Sequence, residues 1–278
     1  MIHVVTDSTS DITQAEASRL GITLVPLVVR FGEQQFRDGV DLDPDAFYTV
    51  LQRNTVHPTT SQPTPEQFAD VYRTLLTTDE DVVVGLHISA KLSGTLQSAH
   101  LAAKEFRPGQ IELVDTESVS AGLQLLVLAA LADVAAGADA HAVAAAARRR
   151  SQKVSIFVLL DTLTYLQRGG RIGRAQALVG SLLNVKPLLT VIDGEVAPLA
   201  RVRSRKQGID KILELVEKRT PLQRIAVFHA SVPESIGDLS ERLRAEHAGI
   251  EVLSGRIGPV VGAYTGPGGI GVACLGAD

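Results

Sequence analysis

Residues 82–99 constrain the fold of this chain more than any other stretch. Val82–His87 is an apolar run of strand length, Ser93-Gly94-Thr95 is a polar loop, and Thr95–Glu105 has the pattern of a helix. A strand that feeds a helix through such a loop gathers hydroxyls and free backbone N–H groups at one point. The helix dipole is positive there, so an anion is welcome. The first candidate ligand is an oxyanion: a phosphate, a reacting carbonyl or a carboxylate.

Strands and helices alternate through the first half. Ile2–Thr6, Ile22–Val29, Val82–His87 and Ile111–Val114 read as strands. Asp11–Leu20, with its N-cap among Thr9, Ser10 and Asp11, reads as a helix, as do Pro44–Gln52 and Pro65–Leu76. Ser120–Ala136 is apolar almost all round, which predicts a helix buried on every side, and Ala140–Arg150 closes the series with three arginines at its C-terminus. This alternation predicts a parallel sheet covered on both faces, with a ligand beyond the carboxyl ends of the strands, where Asp7, Ser8, Ser89, Ser93, Asp115 and Thr116 fall.

After residue 153 the rhythm changes. Asp193-Gly194 between Val185–Ile192 and Glu195–Val202 signals a hairpin, so antiparallel pairing enters. Ile209–Arg219 and Ser235–Glu246 follow as helices, Ile225–His229 and Glu251–Ser254 as strands. The expected architecture is α/β in two domains. Residues 1–153 form an N-terminal α/β/α domain with a mainly parallel sheet, and 154–278 a two-layer α/β domain with a mixed sheet, the ligand lying between them.

The composition agrees. A chain of 278 residues with 45% apolar and 21% charged residues has the length of about two domains and can bury sizeable cores. Its net charge of −4 gives no general attraction to nucleic acid or an anionic membrane. A single cysteine, Cys274, excludes an internal disulfide framework and a Cys-rich metal site, and fits a reducing compartment. The N-terminus lacks the basic and apolar regions of a signal peptide, and the longest apolar run, Leu125–Ala132, is far shorter than the roughly 20 residues of a membrane span. A cytoplasmic protein without integral membrane association is expected.

Several motifs compete for a chemical role. Thr59 to Pro65 either caps a helix, with Thr64 as N-cap, or supplies a second hydroxyl-bearing loop facing Ser93. Ser93 suggests a serine-dependent acyl hydrolase or transferase with His87 or His229 as base, but Leu92-Ser93-Gly94 is not a nucleophile elbow, and anion capture is the better use of the same atoms. His87 reads as a structural residue at a strand end. Gly266 to Gly271 matches a dinucleotide-binding expression, yet only seven residues follow it, too few for the helix and second strand such a unit needs. Those glycines instead suit a backbone passing close beneath a ligand or between domains. No P-loop sequence occurs. Arg168 to Arg174 and Arg201 to Lys206 are basic clusters, and strand alternation would put Arg201, Arg203 and Arg205 on one face, suited to a phosphate or an acidic partner.

Taken in order, Thr6-Asp7-Ser8-Thr9-Ser10-Asp11, Thr60-Ser61-Gln62-Pro63, Ser93-Gly94-Thr95, Asp115-Thr116, Leu166 to Ile172 and Thr265-Gly266-Pro267-Gly268 resemble the DegV family of lipid-binding proteins. The resemblance implies a two-domain α/β carrier that holds a long-chain fatty acid, such as palmitate or oleate, between its domains. It implies no cofactor, metal or catalytic group of its own, and a fatty acid kinase as partner, which phosphorylates the presented carboxylate for phospholipid synthesis. By position it implies carboxylate contacts from Thr60 or Ser61, Ser93, Gly94 and Thr95, and places Arg168, Arg201 and Arg203 near the site mouth. The family commonly has His before Thr-Gly-Pro-Gly; this chain has Tyr264, which can donate a hydrogen bond but does not become a cation near neutral pH. The apolar segments Val158–Leu166 and Leu178–Leu189 are candidate walls for the acyl chain.

Overall fold

The structure, a computed structural model, describes residues 1–53, 56–180 and 185–277. Strand β1 (Ile2–Asp7), helix α1 (Gln14–Leu20) and β2 (Ile22–Val25) open the chain, followed by β3 (Val28–Phe31), β4 (Gln34–Arg37), α2 (Pro44–Arg53) and β5 (Thr59–Ser61). Then come α3 (Pro65–Leu75), β6 (Val82–His87), α4 (Thr95–Ala103), β7 (Ile111–Asp115), α5 (Ala121–Ala135) and α6 (Ala140–Ser151). The remainder contains β8 (Val154–Leu159), α7 (Thr164–Arg168), β9 (Lys186–Ile192), β10 (Glu195–Val202), α8 (Arg205–Glu217), β11 (Leu222–His229), α9 (Gly237–Glu246), β12 (Glu251–Arg256), α10 (Pro259–Thr265) and β13 (Ile270–Gly276).

The expected α/β class is what forms. A parallel sheet of order β2-β1-β6-β7 lies apart from a mixed six-stranded sheet of order β10-β9-β8-β13-β11-β12. In the mixed sheet only β11 and β12 run parallel; the Asp193-Gly194 turn joins the antiparallel pair β9 and β10. The two sheets are joined by α5. One of its faces (Leu123, Leu126, Val127, Ala130) packs with Val4, Val84 and Leu86 of the parallel sheet. The other (Ala121, Leu125, Ala129) packs with Ile156, Phe228 and Ala273 of the mixed sheet. A helix with apolar neighbours on two sides needs no polar face, and this one has hardly any. Each fully buried Leu contributes about 1.5–3 kcal/mol through loss of apolar surface from water.

Three local expectations are corrected. The run Ile22–Val29 is not one strand: β2 ends at Val25, and β3 begins at Val28 in a separate antiparallel sheet, β4-β3-β5. Pro26 lies between them and has no N–H to continue the ladder. Helix α1 begins at Gln14 rather than Asp11, because Thr13 and Glu16 form a reciprocal capping box while Asp11 takes a left-handed conformation at φ 56°. The row Arg201, Arg203, Arg205 does not share a strand face. Strand β10 stops at Val202, Ser204 caps α8, and Arg205 is helical and reaches Asp161. The strands β8 and β13, central in the mixed sheet, also had no clear pattern of their own.

Four contacts fasten the two sheets' surroundings together across the seam. Gly258 N–H donates to Asp11 Oδ1 (2.9 Å), the Tyr48 hydroxyl donates to the Ile257 carbonyl (3.3 Å), and Arg256 grips Asp45 through two bonds of 2.6 and 2.7 Å. The Ser89 hydroxyl donates to the carbonyl of Gly194 at the tip of the β9–β10 hairpin (2.8 Å). Asp11 also accepts from Ser120 Oγ (2.5 Å), and Asp38 is buried nearby.

Burial raises both seam carboxyls, Asp11 to about 7 and Asp38 to about 8, with hydrogen bonds from Ser120 and Ser8 acting in the opposite direction. The folded chain therefore keeps protons that the unfolded chain has already released. That contribution is complete below the ordinary carboxylate range and is lost as pH rises through about 7 and about 8. Urea midpoints are expected to fall between about pH 5 and about pH 9, and Asp38→Asn, neutral throughout, to flatten that fall. Midpoints with the same slope in the wild type and in Asp38→Asn would contradict this.

Candidate functional site

Strand β6 delivers the chain into the loop that precedes α4. The loop is closed by its own backbone: Leu92 N–H and Ser93 N–H both donate to the Ser89 carbonyl, at 2.9 and 3.1 Å. Ser93 Oγ accepts from Thr95 N–H (3.3 Å) and shares a hydrogen bond with Thr95 Oγ1 (2.8 Å). Beneath it, Asp7 Oδ1 accepts from Thr9 Oγ1 (2.5 Å), and Asp7 Oδ2 accepts from Ile88 N–H (3.0 Å) and faces His87 Nδ1 (3.1 Å). These bonds fix where β1 and β6 end.

His87 is fully buried between Asp7 and the ring of Phe68, with ring centroids 5.2 Å apart, so it holds structure. His229 Nδ1 accepts from Val232 N–H. Among the described residues no hydrogen bond joins Ser93 to a histidine, and its hydroxyl is committed to Thr95. That arrangement does not prepare a nucleophile.

Above the loop a cavity of about 310 Å³ opens between the parallel and mixed sheets. This is about twice the ~150 Å³ apolar cavity that admits benzene. Its walls are overwhelmingly apolar: Leu27, Ile88 and Val119 come from the first half, and Ile156, Val158, Leu160, Leu166, Leu189 and Phe228 from the second. Of the segments expected to supply walls, Val158–Leu166 contributes three residues and Leu178–Leu189 contributes Leu189; its residues 181–184 lie outside the described residues.

Polar groups gather at one part of the wall. Thr60 and Ser61 from β5, Gln62 beyond it, Ser93, Arg171 and Tyr264 all line the cavity. Thr60 Oγ1 and the Tyr264 hydroxyl are hydrogen-bonded at 2.5 Å, which brings together residues 204 positions apart. The Arg171 guanidinium sits 5.3 Å from the centre of the Tyr264 ring and donates to the carbonyls of Leu92 (3.2 Å) and Gly169 (2.9 Å). Among the described residues it pairs with no carboxylate, so its charge is held by neutral groups and remains available to an anion.

Of the residues singled out from sequence, Thr60, Ser61, Ser93 and Tyr264 share this wall. Gly94 lies behind it: the Gln62 amide is only 2.5 Å from where a Cβ would be, so any side chain there would displace Gln62. Thr95 is buried with its hydroxyl and N–H turned to Ser93. Arg168, at the end of α7, and Arg203, between β10 and α8, are exposed and outside the wall. The field of Arg168 does reach His57, whose pKa is lowered first by burial and then by that charge. Gly266 to Gly269 turn α10 into β13 against Tyr165 and Leu160, so the close approach is within the second half.

Arg171 and Gln62 were missed as site residues, although both stand in the motifs quoted. The available signal was the Gly169-Gly170 pair. The turn that follows α7, with Arg171 N–H donating to the Leu166 carbonyl, carries Arg171 to the cavity while Arg168 stays outside.

An α/β protein with an apolar cavity between two sheets, and hydroxyls plus one guanidinium at a single part of its wall, is the class that this fold and site define. Residues 1–276 match the DegV family throughout, and the chain belongs to that family. It is 39% identical over 275 residues to a DegV domain-containing protein of Streptomyces coelicolor, covering 98% of this chain and 97% of the relative. The solved structure of a fatty-acid-binding DegV family protein from Thermus thermophilus superposes with a TM-score of 0.92 at 38% identity, covering 99% of each chain. That of Bacillus subtilis DegV, a fatty acid binding protein, gives 0.89 at 32% identity, again with 99% of each chain covered.

Tyr264→Phe removes the hydrogen bond to Thr60 but keeps the ring under Arg171. Urea unfolding is expected to show a loss of about 0.5–1.5 kcal/mol. An unchanged midpoint would mean that this bond adds nothing to the closure of the seam.

Proposed function

We propose that this chain binds one long-chain fatty acid, such as palmitate or oleate, with its carboxylate at the Thr60, Ser61, Ser93, Arg171 and Tyr264 wall and its acyl chain in the apolar cavity. The observation that carries this reading is a cavity with a large apolar lining in which hydroxyls and a guanidinium without a counter-carboxylate meet around Tyr264. Relatives that bind fatty acids share the whole fold at 38% and 32% identity.

Magnitudes separate affinity from orientation. Burying about 14 methylenes at ~0.8 kcal/mol each offers a gross driving force on the order of 10 kcal/mol. A hydrogen bond to a carboxylate nets about 1.5–3 kcal/mol. The acyl chain sets how tightly the ligand is held, and the polar groups set which end faces outward. The protein acts as a non-catalytic cytoplasmic carrier whose halves, 1–153 and 154–278, close on the lipid. It presents the carboxylate to a fatty acid kinase for acyl phosphate formation, with Tyr264 as a neutral hydrogen-bond donor.

Protein purified from a heterologous host is expected to release about one fatty acid per chain when denatured and extracted, read by mass spectrometry. Finding none, together with no uptake of added palmitate or oleate, would reject lipid binding. Ser93→Ala is expected to weaken binding by about tenfold, measured by displacement of a fluorescent fatty acid; unchanged affinity and an unchanged carboxylate position would remove Ser93 from the site. With the kinase encoded in the same genome and ATP, hydroxylamine is expected to trap an acyl hydroxamate. Lipid-loaded protein that yields no hydroxamate would refute presentation while leaving binding intact.

A further inference from the structure

A second cavity, a crevice of about 410 Å³, lies on the seam at the start of α1. It is distinct from the acyl cavity, although the two share a thin wall. Ser8 lines the crevice and Thr9 the acyl cavity; Gly258 and Pro259 line the crevice, Ile257 and Val260 the acyl cavity.

Its lining is strongly one-sided in charge. Asp11, Glu16, Asp38 and Asp43 face it against a single cation, Arg256, whose guanidinium already grips Asp45. The remaining polar groups, including Gln14, Gln124 and Ser254, can all accept hydrogen bonds. Asp38 lines the crevice at 2% exposure, and its Oδ2 has no hydrogen-bond partner. The proton that burial retains can occupy this oxygen, but once that proton leaves, a buried acceptor without a donor is costly and calls for an external one.

We propose that the crevice is a binding site for a small organic cation bearing primary ammonium groups, of the size of a short diamine, with Asp38 and Asp11 as its buried anchors and Glu16 and Asp43 at its rim. The proposal is independent of what occupies the acyl cavity. An ammonium brings three donors on a compact charge and imposes no fixed ligand geometry. A divalent metal ion does impose one, and among the described residues no three His, Cys, Asp or Glu side chains converge to hold one. A neutral ligand offers no counter-charge to the four carboxyl groups that face this space.

The cation competes with protons. Burial keeps Asp38 and Asp11 protonated up to about 8 and about 7, and the neighbouring Asp7 pushes both in the same direction. Glu16, Asp43 and Arg256 are the other charged groups on the crevice, and Tyr48 lies close to both anchors. Binding an ammonium therefore expels protons, and affinity rises with pH.

The test is calorimetry of the full chain with 1,4-diaminobutane, and with 1,4-butanediol as a neutral analogue of similar shape. Saturable diamine binding is expected at about pH 8, weaker by at least tenfold at about pH 6, with enthalpies that vary with buffer ionisation as protons are released. Asp38→Asn is expected to weaken it by about tenfold or more while thermal melting shows an intact fold. If that variant does not fold, the rim pair Glu16→Gln with Asp43→Asn replaces it and is expected to weaken binding by several-fold. No diamine binding to the wild type, equal binding of the diol, or affinity unchanged in the folded variant would each overturn the proposal.

Discussion

Helix α5 buries two of its faces against two different sheets, and the architecture follows from that constraint. Its Leu123, Leu126 and Val127 need the parallel sheet, while Leu125 and Ala129 need the mixed sheet, so neither sheet can bury its own inner face without the other. A single helix thus makes the two halves interdependent. Where Leu125 and Ala129 meet the mixed sheet the interface is filled. Just before α5, Val119 and Ser120 line the apolar cavity instead. The cavity is the part of the interface that the helix does not reach.

The polar region of the apolar cavity depends on an equally simple arrangement. Three separate segments, β5, the loop before α4 and α10, each bring one or two hydroxyls, and hydrogen bonds between those groups hold them while no ligand is needed to do so. Arg171 is kept in place by carbonyls and an aromatic face rather than by a carboxylate. A counter-carboxylate would have neutralised it. The site is therefore ordered while its exposed guanidinium has no counter-carboxylate among the described residues.

Much of this was legible in the amino-acid sequence where the signal is local. The apolar run into Ser93-Gly94-Thr95 gave β6, its loop and α4; Thr64-Pro65 gave the start of α3, with Thr64 as its N-cap; Asp193-Gly194 gave the hairpin. The nearly apolar composition of α5 predicted burial on every side; two faces are buried, but Ala132 and Ala135 are exposed and Gln124 and Leu128 half-buried, so the expectation is corrected. What could not be read depends on distant partners or on direction. Strands β8 and β13 lie side by side in the sheet but 115 positions apart at Phe157 and Val272, and Gly269 and Gly271 disguised the second as a loop. Whether Arg168, Arg171 or Arg203 faces inward is decided by the turn after α7 and by the cap of α8, not by residue type. Thr13 and Glu16 did carry a capping signal, and it outweighed the equally eligible Ser10 and Asp11 once Asp11 was drawn to Gly258.

The hairpin tip carries one more implication. Gly194, at φ 76°, accepts the Ser89 hydrogen bond with its carbonyl, and Ser89 Oγ lies only 2.3 Å from where a Cβ would be. A two-residue turn between strands is ordinarily the place where a protein accepts inserted residues with least harm. Here the arms of that turn carry Leu189, Val191 and Val196 into the apolar cavity between the sheets, and its tip rests on the loop that bears Ser93. The length of the hairpin is therefore a gauge that sets the spacing of two opposite cavity walls. In this fold an outlying turn is held to the tolerances of the interior, and divergence in loop length must be sought elsewhere on the surface.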